Sequence, residues 1–247
     1  MYKKLVYYIL GKSNILRFLN RDKFVILTYH RVLDEYRGIG GMVVLKKEFE
    51  KQIKYISENY NVINFKDLAD IIKCGVLKKN SIIITFDDGY KDIIKNAYPI
   101  LKKYNVKATL FITSDFADGK TPWWEKDNKN MLKWKDIKNL DFEIGAHSVS
   151  HPVLSKLDDE KLKNEIINCK KDIENKLYLK VNVFSYPHGK REDIGKKAIW
   201  LVKENYDFGV SNIYGVNDLN SNPHYLKRIN VFWNDINIFK VKVRGMK

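Results

Sequence analysis

The chain has little of several things that would narrow its role at once. It holds only two cysteines, Cys74 and Cys169, with no Cys-x-x-Cys spacing, which argues against a disulfide-stapled scaffold and a thiolate metal site. Each falls in an amphipathic helical pattern, so both are expected to be buried free thiols, which suits a reducing compartment. No apolar run approaches the roughly 20 residues of a membrane-spanning helix. No Pro-rich or Ser-rich stretch marks a linker and no repeat recurs, so one domain is expected over 23–247, behind an N-terminal segment 1–22. No Gly-rich phosphate loop follows an early strand. Histidine is scarce as well, with five in the whole chain.

What is abundant is lysine. The 45 basic and 30 acidic residues leave a formal charge of +15, an excess that favours phosphate-bearing partners. The lysines are spread through every predicted helix and not gathered on one, so no nucleic-acid partner is expected and a membrane or acidic-glycan surface is preferred. The N-terminus "MYKKLVYYILGKSNILRFLNRDK" starts basic and continues with apolar residues 5–10. Its apolar run is short, residues 11–13 interrupt it, and no small-residue cleavage site follows, unlike a signal peptide. Lys12 falls within the apolar arc, which fits two short helices better than one. Residues 1–20 either make a peripheral contact with an anionic membrane or pack on the body of the fold. The expected location is the cytoplasm, with the inner membrane face as the place such a segment would hold it.

The remainder alternates. Strands are expected at 25–30, 62–65, 81–86, 108–113, 142–145, 181–186, 208–211 and 225–231, and helices at 46–58, 68–72, 90–104, 134–140, after Asp158, and at 193–205. That alternation implies an α/β protein with a largely parallel sheet under outer helices, closed as a barrel. In a barrel the C-terminal strand ends share one rim. The rim then carries His30, Asp87 with Asp88, Thr113, His147 with His151, and Pro187-His188-Gly189, and so four of the five histidines.

At 81–90, "SIIITFDDGY", an apolar run stops at two adjacent acids. Neighbouring strand residues point to opposite faces, so both acids serve one site only if the strand has ended and Gly89 lets the backbone turn. A helix cap or a plain turn is the alternative. His147 and His151 stand four apart in "GAHSVSH", after a strand and before Pro152. Two imidazoles and one carboxylate, Asp88, leave open positions, a composition suited to a catalytic Zn²⁺ or similar divalent ion. Such an ion polarises a carbonyl and acidifies its water. Hydrolysis also needs a base for that water, for which Asp87 is placed, and an acid for the leaving group, for which His30 is placed. These residues predict a metal-dependent hydrolase of an amide or ester.

"TFDDG" (85–89), "HSVSH" (147–151) and "FSYPHG" (184–189), in that order and separation, resemble the first three motifs of the polysaccharide deacetylases, carbohydrate esterase family 4 or NodB-homology domain. The resemblance runs over about 25–231, with lesser matches in "ILTYHRV" (26–32), "FEKQIKYI" (49–56), "MLKWKDIKNL" (131–140) and "YLKRINV" (225–231). It implies a distorted (β/α)7-8 barrel that removes N- or O-acetyl groups from sugars, with Asp87 as base, Asp88, His147 and His151 as metal ligands, and the His188 backbone N–H on the oxyanion. His188 stands where a tyrosine is usual, and a backbone donor survives that change.

Two departures matter. Ser185 occupies the third-motif position where many members have an arginine that orients the base, and no late Leu-x-His follows, His224 being succeeded by Tyr225-Leu226. The poly-N-acetylglucosamine deacetylase branch takes its acid from an early strand, and His30 matches that position. Arg228 is the candidate for the missing arginine, the other reading being an ordinary exposed strand residue. Trp123 and Trp124, in a polar insertion with Glu125, are candidates for sugar stacking or else a plug under a loop. Tyr29, Tyr90, Tyr186 and Pro187, beside the proposed catalytic groups, complete the expected substrate contacts. The expectation is thus a zinc-dependent N-deacetylase of an N-acetylated glycan or glycolipid, with an O-acetyl esterase or an inactive glycan-binding barrel as alternatives.

Overall fold

Seven parallel strands close into a ring in the computed structural model, which describes residues 23–36 and 42–245. In chain order the strands are β1 (Phe24–Tyr29), β2 (Arg31–Leu33), β3 (Val43–Leu45), β4 (Asn61–Val62), β5 (Ser81–Phe86), β6 (Thr109–Ile112), β7 (Glu143–Ala146), β8 (Val183–Ser185), β9 (Phe208–Tyr214) and β10 (Leu226–Asn230). The ring runs β1-β10-β9-β8-β7-β6-β5 and returns to β1, with Phe24 opposite Ser81 and Tyr29 opposite Phe86. β4 hangs on β5 outside the ring, and β2 and β3 pair separately. This is the expected distorted barrel, with seven staves. Residues 1–22, on which the expected amphipathic segment falls, lie outside the described residues.

Period-two alternation builds the barrel from both sides. Phe24, Ile26, Ile83, Phe111, Val183, Phe208, Val210 and Leu226 pack together with Phe65 and Leu68 of the helix Phe65–Cys74, which plugs one end. The intervening Val25, Leu27, Tyr29, Ile82, Ile84, Phe86 and Phe184 join the larger core under the helices. Each fully buried side chain is worth roughly 1.5–3 kcal/mol, so a slip of one residue, which would exchange the two faces, is excluded energetically. Counting onward two residues at a time, the interior positions turn polar: Thr28 and His30, Thr85 and Asp87, Thr113, His147, Ser185, Asn212, Arg228. The site is the polar upper layer of an apolar barrel.

Gly145 marks where the layers meet. A Cβ there would lie 2.4 Å from the Phe111 ring. Gly145→Ala is expected to lower stability by about 1–3 kcal/mol through overpacking beneath His147, as read from thermal or urea unfolding.

Several boundaries differ from expectation for local reasons. The strand expected to 65 stops at Val62, because Asn64 caps the next helix through a reciprocal capping box with Asp67. The helix expected from residue 90 begins at Ile93, Tyr90 being drawn into a bridge with Met131. The helix expected over 193–205 is broken at Gly195 (φ 78°) into Arg191–Ile194 and Lys196–Asn205. The one expected over 134–140 is limited to Trp134–Ile137. Cys169 is buried as expected but Cys74 is exposed, because it closes its helix before Gly75, beyond the face that Phe65 and Leu68 bury.

Candidate active site

Asp87 continues the interior alternation of β5, its N–H donating to Tyr29 O at 3.0 Å. Asp88 should point outward, but its φ of 69° swings it back over the rim, so the turn starts one residue before Gly89 (φ 76°). Ser148 (φ 65°), His151 (φ 62°) and His188 (φ 58°) are also left-handed. Each such non-glycine residue carries strain of order 1–3 kcal/mol, and here it is concentrated among the proposed functional side chains.

Asp88 Oδ1 lies 3.4 Å from His147 Nε2 and 3.5 Å from His151 Nε2. Ligand atoms about 2.0–2.1 Å from one ion at tetrahedral angles stand about 3.3 Å apart, so the set is spaced for a shared cation. Asp88 Oδ1 is buried with no hydrogen-bond partner, an orphan that an ion would explain. His147 Nδ1 is 2.7 Å from Ser185 O; a carbonyl only accepts, so Nδ1 carries a proton and Nε2 is the nitrogen left to face an ion. Burial disfavours the Asp88 carboxylate, but His147, His30 and His151 outweigh it and hold the carboxyl far below its usual range. Burial likewise opposes an imidazolium at His147, and Asp87 and Asp88 overcome it. Burial, reinforced by His147, lowers His151 to about 3, leaving it a free base. A field that attracts positive charge and a free imidazole lone pair suit a divalent ion, and Asp88, His147 and His151 fit one.

Arg228 is not an exposed strand residue. It is fully buried and holds Asp87 at both oxygens, Nη1 donating to Oδ1 at 2.8 Å and Nη2 to Oδ2 at 2.7 Å. Its Nε donates to Ser211 O, its Nη1 to Thr85 Oγ1, and its Nη2 also to Ser185 Oγ and Asn212 Oδ1. Ser185 Oγ itself donates to Asp87 Oδ2 at 3.2 Å. The serine at the arginine position thus leaves room for a guanidinium arriving from β10. Burial disfavours the Asp87 carboxylate, but Arg228 overrides it and the pKa is lowered.

His30, half-buried, has a buried Nδ1 without a partner. Burial lowers its pKa while Asp88 and Asp87 pull it up, which places the ring in the field of both carboxylates. Across the opening, Asn212 ties Arg228 to the 187–189 turn: its Nδ2 donates to His188 O and its N–H to Gly189 O, both at 2.8 Å. The His188 N–H meets no acceptor among the described residues. Asn212 carries no motif signal in the sequence, although period-two counting along 208–214 places it inside the barrel.

The aromatic expectations divide. Trp123 is 72% exposed with its ring 6.4 Å from that of His188. Trp124 is tucked in, its Nε1 donating to Tyr90 Oη at 2.7 Å and its ring 4.9 Å from His151. Arg31 packs over the Tyr90 ring at 4.6 Å and lines a cavity of about 550 Å³ with Lys91, Asp92 and Asn130. Tyr29 and Tyr186 do not line the opening. Each is the outward neighbour of an interior residue, His30 or Ser185, and each is fully buried, Tyr29 Oη donating to Gln52 Oε1 and Tyr186 Oη to His224 O. Pro187 is buried in the turn.

Comparison with known proteins bears on this arrangement. The sequence profile of the polysaccharide deacetylases matches residues 75–205. The chain is 30% identical over 213 residues to the YxkH protein of Bacillus subtilis, covering 85% of this chain and 71% of that one. It is also 30% identical over 230 residues to the poly-beta-1,6-N-acetyl-D-glucosamine N-deacetylase of Staphylococcus aureus, covering 82% of this chain and 77% of that one. The deacetylase PplD of Streptococcus pyogenes, solved with acetate, has the same fold, with a TM-score of 0.78, 21% identity, and coverage of 91% and 99%.

Proposed function

The chain belongs to the polysaccharide deacetylase family, and from that premise we propose that it removes N-acetyl groups from a glucosamine-containing glycan or glycolipid, using Zn²⁺ held by Asp88, His147 and His151. The observation that carries this reading is the pairing of that ligand set with a second carboxylate, Asp87, locked in its charged form by Arg228. Bound there, the ion supplies Lewis-acid polarisation of the acetyl carbonyl and a more acidic water. Asp87 takes a proton from the attacking water, its lone pairs fixed in direction by the guanidinium. The His188 N–H, with no acceptor among the described residues, is the donor for the carbonyl oxygen as it gains charge. His30 delivers a proton to the sugar nitrogen as the C–N bond breaks, and the burial that lowers its pKa makes its protonated form a stronger acid. Trp123 offers an exposed ring face for a neighbouring sugar.

The decisive assay is acetate release from N-acetylated oligosaccharides. Release that a chelator abolishes and zinc restores is the expected result; release indifferent to chelation would defeat the metal assignment. His30→Ala is expected to slow amide cleavage by about 10²–10⁴-fold and ester cleavage much less, because an amine leaves poorly without a proton. Equal losses on both would assign the acid elsewhere.

No helix among the described residues is long and apolar enough to cross a membrane. Residues 1–20, basic and apolar by sequence, are proposed to touch an anionic membrane surface on the cytoplasmic side. Removal of 1–22 is expected to abolish co-sedimentation with anionic vesicles; unchanged binding would refute the contact.

A further inference from the structure

Two of the three metal-site residues, His147 and His151, bracket a short loop whose polar groups are nearly all engaged. Thr113 Oγ1 donates to His147 O at 3.1 Å, Asp115 N–H to Val149 O at 3.0 Å, and His151 N–H to Ser148 Oγ at 2.9 Å. The remaining residue, Ser150, is held from outside the loop and outside every catalytic motif. Its N–H donates to Glu165 Oε2 at 2.8 Å and its Oγ to Glu165 Oε1 at 2.6 Å, so one carboxylate grips one residue with both oxygens.

Glu165 is built to be there. It is only 7% exposed and forms no ion pair among the described residues, although a surface rich in lysine lies close by. It sits in a π-turn, Asn164–Asn168, between the helical segments Asp159–Lys163 and Cys169–Leu177. Its spacing from Leu162, Ile166 and Cys169 places Glu165 on the same buried face. A buried carboxylate is retained only where its oxygens are satisfied, and here the donors that satisfy them belong to the residue directly before His151.

We propose that Glu165 is a positioning residue of the metal centre, fixing Ser150 and so holding His151 in the left-handed backbone conformation that brings its Nε2 to 3.5 Å from Asp88 Oδ1. It touches neither substrate nor ion and acts through the loop. Partners beyond the ligands orient them, and their loss typically weakens metal binding by about 10–100-fold. The inference rests on the zinc assignment but on no assumption about the substrate.

The test is zinc affinity, measured by competition with a chromophoric chelator on metal-free protein, alongside thermal melting of the same samples. Glu165→Gln keeps the volume but turns an amide N–H₂ toward one Ser150 donor, and is expected to weaken zinc binding roughly 10–100-fold. Ser150→Ala is expected to weaken it less, and the double variant no more than Glu165→Gln, because both cut one link. Glu160→Gln, an exposed position on the same helical stretch, is expected to change nothing and controls for net charge. Wild-type affinity in Glu165→Gln, with or without a lower melting temperature, would overturn the proposal by making the carboxylate merely a packing element. If Glu165→Gln does not fold, Ser150→Ala decides: an unchanged affinity refutes the link. A wild-type protein that binds no zinc would defeat the metal assignment itself, a failure distinct from a variant that binds as well as wild type.

Discussion

Asp87→Asn is expected to reduce acetate release by about 10²–10⁴-fold while leaving zinc bound. The substitution preserves shape but removes the charge that accepts the proton of water. Zinc should remain because Asp88, His147 and His151 are untouched, and Asp88 Oδ1 is the oxygen facing both imidazoles. The variant also leaves the Arg228 guanidinium facing one carbonyl oxygen and one amide nitrogen where it had two carboxylate oxygens, so some stability is lost with the rate. Three readings on one sample separate these effects: acetate release, zinc by chelator competition, and circular dichroism through a urea series. A folded, zinc-loaded Asp87→Asn protein with wild-type turnover would require a base elsewhere. A folded protein without zinc would move Asp87 into the ligand set.

The gathering of Asp87, Asp88, His147 and His151 on one rim was legible because strand periodicity and short motif spacing are local properties, and a barrel brings strand ends together. Arg228 was legible as a position but not as a contact, since it meets Asp87 across 141 residues of chain. Asn212 and Glu165 are hidden differently: their partners are only 16 and 15 residues away but lie on other elements, and their residue types are common on any polar surface. Tyr29 and Tyr186 were misplaced for an instructive reason: being next to a functional residue on a strand means facing away from it. Asp88 escapes that rule only through its left-handed backbone, which no alternation pattern predicts. The strand end at Val62 was readable in retrospect, since Asn64 and Asp67 have the spacing of a capping box, but the apolar residues at 62, 63 and 65 pointed to a strand.

Arg228→Met should be the most damaging single change to stability. The methionine fills much of the volume, yet it leaves Asp87, 1% exposed, as a buried charge with only Ser185 Oγ, among the described residues, donating to it. Breaking one side of such a pair costs about 3–5 kcal/mol, an effect measurable as a lower urea midpoint at unchanged slope. Arg228→Lys keeps the charge but cannot reproduce the fork on Asp87 or the bonds to Ser211, Ser185 and Asn212, so it should fall between wild type and methionine. Removing both charges, in Asp87→Asn with Arg228→Met, should recover part of the stability and none of the activity, which separates the cost of an orphaned charge from the need for a base. The pH dependence follows from the direction of the Asp87 shift. Its native pKa lies below the unfolded value of about 3.9, so its contribution is fully present above that value and is lost as pH falls through the native one. In Arg228→Met burial is opposed only by the weaker pull of His147 and His30, so the native pKa moves up and the stabilisation shrinks. The stability gap between wild type and variant should therefore be widest near neutral pH and narrow as pH falls through the Asp87 transition. A gap that stays constant across the acid limb would mean that the Asp87 charge, however well paired, does not set the stability difference.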